Sequence, residues 1–238
     1  MMRLDKMLSN LKYGSRSEIK NYARQSRITV NGETIKDSDI SIDPLNDQVM
    51  IDGELVFYRE NVYLMMNKPK GVICAAVDDM YKPYTRLIDA PFNRFDLNVC
   101  GRLDVDSEGL IVLTNDGDFL HKVISPKHDI FKTYYVTLRD PLSNYQSLEK
   151  GVMIKDGSER PYLTKPAKIF DVSKNTCRIS ISEGKFHQVK RMFEFIGNEV
   201  KGLKREKIGL LELDNALLPG DYKELTSNEL ELILKNEL

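Results

Sequence analysis

CGRLDVDSEGLIVLTNDG, residues 100–117, joins an acidic turn directly to an apolar run. The run, residues 110–113, is typical of a buried β-strand, and the turn before it carries Asp104. Gly101 allows backbone angles that other residues avoid, and Gly109 lets the chain enter a closely packed sheet. We therefore expect Asp104 to be held rigidly at the edge of a sheet.

The acidic turn has two simpler interpretations. Its acids are Asp104, Asp106 and Glu108. They are compatible with a solvated turn. Together with Gly109 they also match the first half of a helix–loop–helix calcium site. The last calcium position is Asn115 instead of a bidentate Glu, and residues 110–114 resemble a strand, so the sequence does not favour calcium.

The composition predicts a water-soluble cytoplasmic protein. The chain has 238 residues, enough for a small module plus a catalytic domain. No apolar stretch approaches the roughly 18 residues of a membrane helix, so no membrane partner is expected. The first residues carry an early acid and do not resemble a secretory signal. The three cysteines lack metal-binding spacing, which favours a reducing compartment and no structural zinc.

The charge is unevenly distributed although the net charge is only −1. Residues 1–27 contain seven Lys and Arg against two acids, and residues 185–207 contain seven against three. Acids dominate residues 33–60 between them. Two separated basic segments predict two basic patches that contact one long polyanion.

Residues 1–58 have the pattern of a small module. Apolar residues at helical spacing predict a first helix that ends at Gly14: Leu4, Met7, Leu8 and Leu11. Ser15 or Ser17 is positioned to cap a second helix. The Asn31-Gly32 pair predicts a β-hairpin, and residues 47–51 predict a further strand.

The order MRLDKML, then GSRSEIKNYARQSRITVNG, resembles the S4-type RNA-binding module of ribosomal and RNA-modifying proteins. In that family the helical pair presents a basic face to structured RNA. The resemblance implies RNA contacts by Arg3, Lys6, Ser15, Arg16, Lys20, Arg24 and Arg27. The alternative is a pair of solvated helices whose charges only aid solubility.

A second domain is predicted over residues 61–238. It starts with an apolar strand, residues 62–66, and a turn, residues 67–71. Further strands are predicted at residues 133–138, 177–181 and 210–213, and helices at residues 188–196 and 227–234. No βαβ repeat or glycine-rich phosphate loop is present, which favours an α+β domain with a mostly antiparallel sheet.

Further segments, read with the Asp104 turn, carry a specific resemblance. They are NKPKG (67–71), KTYYV (132–136), EGKFHQVKRMF (183–193) and the tail 208–226. Taken alone, Tyr134 in a strand is typical of a core residue, and Lys190 on an amphipathic helix is typical of a solvated face. The order of all the segments resembles the pseudouridine synthases, and within them the small-subunit ribosomal branch called RsuA. The resemblance implies a catalytic domain with a central cleft.

In that family the aspartate of the GRLD motif is the nucleophile, so the resemblance assigns this role to Asp104. It places Tyr134 against the target base and Lys190 beside the carboxylate. The reaction breaks the N1–C1′ bond of uridine, rotates the uracil and rejoins it through C5, which needs no metal or redox cofactor. The carboxylate attacks either C6 or C1′, and the sequence leaves both routes open. Either route needs an ionised Asp104, which a nearby ammonium favours.

The resemblance also implies a substrate and further contacts. Residues suited to binding the RNA near the site are Arg102, His187, Gln188 and Arg191. The segment 186–190, Phe-His-Gln-Val-Lys, departs from the Asn-Arg-Gln-Val-Arg pattern of many large-subunit enzymes and favours the small-subunit branch. The expected partner is small-subunit ribosomal RNA, free or in a partly assembled particle, modified at uridine 516 of the bacterial reference numbering by a monomeric enzyme.

Three rival functions remain open at this point. A large-subunit synthase would share the same motifs. A non-catalytic protein that binds ribosomal RNA would not need Asp104, Tyr134 and Lys190 together. A glycoside hydrolase would pair Asp104 with Asp106 or Glu108, but it would also need aromatic sugar platforms, and the chain has no Trp.

Overall fold

The computed structural model describes residues 1–236, which form two compact units. The first unit comprises Met1–Val62 and Asp89–Asp96, and the second comprises Tyr63–Ile88 and the chain from Leu97 onward. None of the described helices combines the length and apolar character that a bilayer crossing requires.

The first unit contains two helices and six short strands. The helices are α1 (Leu4–Asn10) and α2 (Arg16–Arg24). The strands are β1 (Met2–Arg3), β2 (Ile28–Val30), β3 (Glu33–Ile35), β4 (Ser41–Ile42), β5 (Val49–Ile51) and β6 (Glu54–Leu55). Strands β3, β2, β5 and β6 form an antiparallel sheet in that order, and β1 pairs with β4.

Local sequence signals explain these elements. The Ser15 side chain accepts a hydrogen bond from the Glu18 amide, and the Glu18 carboxylate accepts one from the Ser15 amide at 2.7 Å. This capping box confirms the predicted start of α2. Asn31 and Gly32 have φ angles of 53° and 83°, so the predicted hairpin turn is also confirmed. The predicted end of α1 at Gly14 is wrong, because Lys12 already has a left-handed φ of 59°.

A short segment, Asp89–Asp96, completes the first unit, and we call this segment the excursion. Asp89–Asp96 follows the start of the second unit in sequence but packs with the first. The rings of Phe92 and Phe95 meet the Phe57 ring edge to face, at centroid distances of 5.5 and 6.1 Å. The Lys12 ammonium lies 2.6 Å from the Asp96 carboxylate. The sequence analysis did not single out this segment.

The second unit is built on a large sheet. Its strands are β7 (Tyr63–Lys68), β8 (Val72–Ile73), β9 (Lys82–Pro83), β10 (Asn98–Val99), β11 (Glu108–Thr114), β12 (Lys132–Leu138), β13 (Met153–Lys155), β14 (Pro161–Leu163), β15 (Lys168–Ser173), β16 (Thr176–Ile181), β17 (Val200–Ile208), β18 (Leu211–Glu212) and β19 (Tyr222–Glu224). The helices are α3 (Gly117–Ile124), α4 (Gln188–Phe195) and α5 (Ser227–Ile233). Short 3₁₀ turns occur at Tyr84–Leu87, Phe92–Arg94, Pro126–His128 and Tyr145–Lys150, the second of them in the excursion.

The main sheet has the strand order β15-β16-β12-β17-β11-β7-β19, with β10 added beside β11 and β18 beside β17. Neighbouring strands are antiparallel except β11 and β17, which run parallel. The predicted α+β class with a mostly antiparallel sheet is therefore confirmed. The predicted strands at residues 133–138 and 177–181 become β12 and β16, and the predicted helices become α4 and α5.

The parallel pair β11–β17 depends on Gly109. Gly109 lies opposite Arg205, and a Cβ atom at Gly109 would lie 2.3 Å from the Arg205 carbonyl oxygen and 2.8 Å from its amide nitrogen. Any side chain at this position would separate the two strands. The close approach predicted for Gly109 from the sequence is confirmed.

Gly109→Ala is expected to destabilise the second unit by roughly 2–4 kcal/mol, because the added methyl group overlaps the backbone of β17 and the residue has a positive φ. Gly220→Ala is a matched control. The φ angles of Gly109 and Gly220 are 103° and 102°, but no atom lies within 4 Å of a Cβ built on Gly220. Urea unfolding should show a clearly larger loss for Gly109→Ala, and equal losses would contradict the role of the close approach.

Candidate active site

Asp104 lies in the loop of residues 101–107, which connects β10 to β11. Gly101 has a φ of 87°, and Leu103 is buried, so the loop turns with its leucine inward as predicted. The Asp104 side chain is 29% exposed. The carboxylate is therefore accessible to a ligand while its backbone is fixed.

Two buried cations hold this loop at its ends. The Arg205 side chain on β17 is almost completely buried and donates from Nε to the Leu110 carbonyl at 2.7 Å and from Nη2 to the Gly101 carbonyl at 2.7 Å. The Lys68 ammonium at the end of β7 donates to the Ser107 carbonyl at 2.7 Å. Burial lowers the pKa of Lys68. Because these cations bond to backbone carbonyls, they fix the path of the loop directly.

Lys190 on α4 lies between two carboxylates. Its Nζ is 2.9 Å from Asp104 Oδ2 and 2.6 Å from Asp106 Oδ1. Burial acts to lower the pKa of Lys190, but the hydrogen bonds to Asp106 and Asp104 outweigh it and raise this pKa. Burial acts to raise the pKa of Asp106, but the hydrogen bond and the charge of Lys190, together with smaller contributions, outweigh it and lower this pKa. Lys190 thus supplies the positive charge between the two carboxylates.

Tyr134 and Asp104 line the same pocket. Tyr134 lies in the middle of β12 and is largely buried. Within residues 1–236 its hydroxyl makes no hydrogen bond to another residue. Other residues lining the pocket are Arg102, Leu103, Ser107, Ile181, Gly184, Lys185, His187, Gln188, Val189, Lys190 and Leu203. The pocket combines apolar walls with one carboxylate, one phenol, one imidazole and the cations of two lysines and one arginine, which suits a flat polar ring that carries a phosphate.

The remaining predicted site residues have different surroundings. Arg102 is exposed and lines the pocket. His187 Nε2 lies 3.6 Å from Asp104 Oδ1. Gln188 is buried and donates to the Glu183 carboxylate at 2.6 Å. Arg191 donates to the Lys155 and Asp156 carbonyls and lies 2.9 Å from a Glu159 oxygen. Arg102 and His187 are thus directed to the pocket, whereas Gln188 and Arg191 are engaged by protein groups.

In the first unit the predicted RNA contacts fall into two groups. Arg16, Lys20 and Arg24 are spaced four residues apart on α2, so they share one face of the helix. They and Lys6 are exposed and form no ion pair within the part of the chain that the structure describes. Arg3 pairs with Asp5 at 2.9 Å, Arg27 pairs with Asp52 at 2.6 Å, and the Ser15 hydroxyl serves the capping box.

The second basic patch predicted from residues 185–207 does not form. Arg205 is buried, Lys201 pairs with Glu199, and Lys207 pairs with Glu212. Lys190 and Arg191 also contact carboxylates. Of the seven cations in this segment, Lys185, Lys204 and the buried Arg205 are the ones without a carboxylate partner within residues 1–236. The sequence analysis counted every cation of this segment toward a basic surface patch. In the structure most of these cations are ion-paired or buried.

Several residues of the site were missed by the sequence analysis. Lys68 is part of the quoted NKPKG motif, yet its buried contact with the loop of residues 101–107 has no local sequence signal. Arg205 was counted as a surface cation, although the alternating burial along β17 places it inside. Glu183 is buried and accepts hydrogen bonds from Tyr162 and Gln188, both at 2.6 Å, and from the Lys165 amide at 2.8 Å. Glu183 is the first residue of the quoted segment EGKFHQ, and this position was the sequence signal that could have identified it.

The strand that carries Tyr134 begins with a buried lysine. The Lys132 ammonium donates to the Ile130 carbonyl at 2.7 Å and to the Val123 carbonyl near the end of α3 at 3.2 Å. Burial, with a smaller contribution from Arg205, lowers the pKa of Lys132 from 10.5 to about 8. Lys132 thus joins α3 to β12, and its ammonium group loses hydration because it is buried there.

Comparisons with known proteins find related sequences and a related structure. Residues 62–195 match the family model described as RNA pseudouridylate synthase, and residues 2–54 match the S4 domain. The chain is 44% identical over 238 residues to an uncharacterised RNA pseudouridine synthase of Bacillus subtilis, with 98% of each chain covered. It is 40% identical over 236 residues to ribosomal small subunit pseudouridine synthase A of Haemophilus influenzae, with 98% of this chain and 100% of the relative covered. A crystal structure of a pseudouridylate synthase matches with a TM-score of 0.67 at 39% identity, covering 98% of this chain and 100% of that one.

The buried Lys132 predicts a pH dependence of stability. Because its pKa is lower in the folded chain, the unfolded chain binds more protons between about pH 8 and pH 10.5, and the free energy of unfolding rises with pH across that window. Lys132→Met removes this dependence. The difference in unfolding free energy between wild type and Lys132→Met should change in favour of the wild type by about 2–3 kcal/mol across the window. A difference that stays constant with pH would contradict a lowered Lys132 pKa.

Proposed function

Since this chain belongs to the RNA pseudouridylate synthase family, we propose that it converts one uridine of small-subunit ribosomal RNA into pseudouridine. The observation that carries the proposal is the Asp104 carboxylate, 2.9 Å from the Lys190 ammonium, in a pocket that Tyr134 also lines. The small-subunit target is supported by the full-length similarity to the Haemophilus influenzae enzyme. By family resemblance the target is uridine 516 of the bacterial reference numbering.

In this proposal Asp104 is the nucleophile. Its carboxylate attacks C6 of the uracil or C1′ of the ribose, and the N1–C1′ bond breaks. The uracil then rotates in the pocket and the C5–C1′ bond forms. On the C1′ route this displaces the Asp104 carboxylate from C1′, and on the C6 route the carboxylate later leaves C6. C5 loses its proton, N1 gains one, and Asp104 is free again. The Lys190 ammonium, 2.9 Å from the carboxylate, orients it before the attack.

Tyr134 has two roles in the proposed reaction. Its ring offers a flat surface for a uracil that has left the RNA stack, which offsets part of the unstacking cost. Its hydroxyl has no hydrogen-bond partner within residues 1–236, so it is available to relay the proton that C5 loses. His187 and Arg102 bind the substrate at the same pocket.

The two predicted domains have different roles in this proposal. Residues 61–238 carry out the chemistry, and residues 1–58 bind ribosomal RNA. The exposed cations Arg16, Lys20 and Arg24 on one face of α2 support this division, because phosphate contacts position an enzyme without selecting a base. We further propose that the enzyme acts in the cytoplasm as a monomer, on free small-subunit RNA or on a partly assembled particle.

Asp104→Asn is expected to abolish the reaction, because an amide is a far weaker nucleophile than a carboxylate. Purified protein is incubated with a transcript of small-subunit ribosomal RNA, and pseudouridine is mapped by mass spectrometry of RNase fragments. Asp104→Asn should lower turnover by at least roughly 10³-fold while the Kd for RNA changes little.

Asp106→Asn is the matched control, because Asp106 also contacts Lys190 but its side chain is 66% exposed. It should retain turnover within about tenfold of the wild type. Near-normal turnover by Asp104→Asn would refute the nucleophile. Product formed by the wild type in large-subunit RNA, and not in small-subunit RNA, would refute the target.

A further inference from the structure

Phe186 is a large apolar side chain that remains 51% exposed. Its ring stacks on the ring of the next residue, His187, with centroids 3.8 Å apart and an angle of 19° between the planes. His187 has a left-handed φ of 52°, which is uncommon for a residue with a side chain. Two consecutive rings are thus parallel on the surface, beside a strained backbone of the kind that is frequent at functional sites.

The stack is fixed although it is exposed. The Arg191 guanidinium lies 5.1 Å from the Phe186 ring centroid and is itself held by Glu159 and by two carbonyls of the β13–β14 hairpin region. Gly157 in the turn of that hairpin leaves room for Phe186, since a Cβ there would lie 3.2 Å from Phe186 Cβ. The ring is therefore held in one place while about half of the Phe186 side chain stays exposed, which is the condition for a preformed binding surface.

The stack lies beside the catalytic pocket. His187 lines that pocket and approaches Asp104 to 3.6 Å. Lys185, which also lines the pocket, is exposed and has no carboxylate partner within the described residues. The segment 185–187 thus presents a cation and an aromatic stack at the edge of the site.

We propose that this stack binds an unpaired RNA base next to the target uridine, and that Lys185 contacts the phosphate of that nucleotide. This proposal rests on the proposed function. When a uridine leaves the RNA stack, its neighbours lose a stacking partner. Aromatic side chains bind such bases with little sequence preference, and a neighbouring cation binds the backbone. A cation beside the ring favours a nucleotide over an apolar partner.

The test compares KM and kcat for the wild type, Phe186→Ala, Phe186→Leu and Phe186→Tyr on a small-subunit ribosomal RNA transcript. Phe186→Leu keeps apolar contact with the Gly157 turn but lacks a ring, so it separates stacking from folding. Loss of the ring should raise KM roughly 5- to 100-fold with little change in kcat, and Phe186→Tyr should restore KM. Phe170→Ala is the matched control. Phe170 is an exposed aromatic on β15 that does not line the pocket, and this variant should have the KM of the wild type.

A second arm uses the same RNA with an abasic nucleotide on the 5′ or the 3′ side of the target. On the side whose base binds the stack, removal of that base should raise the KM of the wild type. The KM of Phe186→Leu, which loss of the ring has already raised, should not increase further when the same base is removed. An unchanged KM for Phe186→Leu, or independent effects of the variant and of both abasic substitutions, would overturn the proposal. A wild type that forms no pseudouridine would instead refute the proposed function, so the two failures are distinguishable.

Discussion

The ammonium of Lys190 between the carboxylates of Asp104 and Asp106 is the contact on which the site depends. It joins α4 to the loop before β11, two segments that are 86 residues apart in sequence. A partly exposed ion pair adds only about 0–1 kcal/mol to folding stability. The ion pair is therefore important for the orientation of the Asp104 side chain and not for the stability of the fold. It orients one carboxylate toward a pocket whose other walls come from β12, β16 and β17.

The loop can present Asp104 in a defined position because buried cations fix its backbone. Arg205, Lys68 and Lys132 are buried, and their hydrogen bonds go to backbone carbonyls. Burying a charge is unfavourable unless it is hydrogen-bonded, and here the bonds fix chain segments near the pocket. This use of charge differs from that on α2, where Arg16, Lys20 and Arg24 are exposed and available to an anionic ligand.

Local signals predicted much of this structure. The turn before β11, the roles of Gly101 and Gly109, the Ser15 capping box and the Asn31-Gly32 hairpin all follow from short-range chemistry, and the structure has each of them. The motifs also predicted that Asp104, Tyr134 and Lys190 belong together, and one pocket contains all three. Their catalytic roles remain predictions.

What the sequence could not predict is decided by long-range packing. β17 contains five charged residues, so it was interpreted as part of a basic patch, although its pairing with β11 and β12 buries Arg205. The excursion Asp89–Asp96 packs with the first unit through Phe92 and Phe95, and nothing in its composition distinguishes it from an ordinary loop. The left-handed angle of His187 likewise depends on the surrounding chain, since only a small fraction of residues other than glycine have a positive φ.

The most direct test of the central contact is the single-turnover rate of pseudouridine formation at saturating small-subunit RNA for Lys190→Met and Lys190→Arg. The account predicts that Lys190→Met loses roughly 10²- to 10³-fold in rate, because the carboxylate loses its oriented cation, while Lys190→Arg retains a substantial part. RNA binding should change little in either variant. A Lys190→Met enzyme that reacts as fast as the wild type would contradict the account.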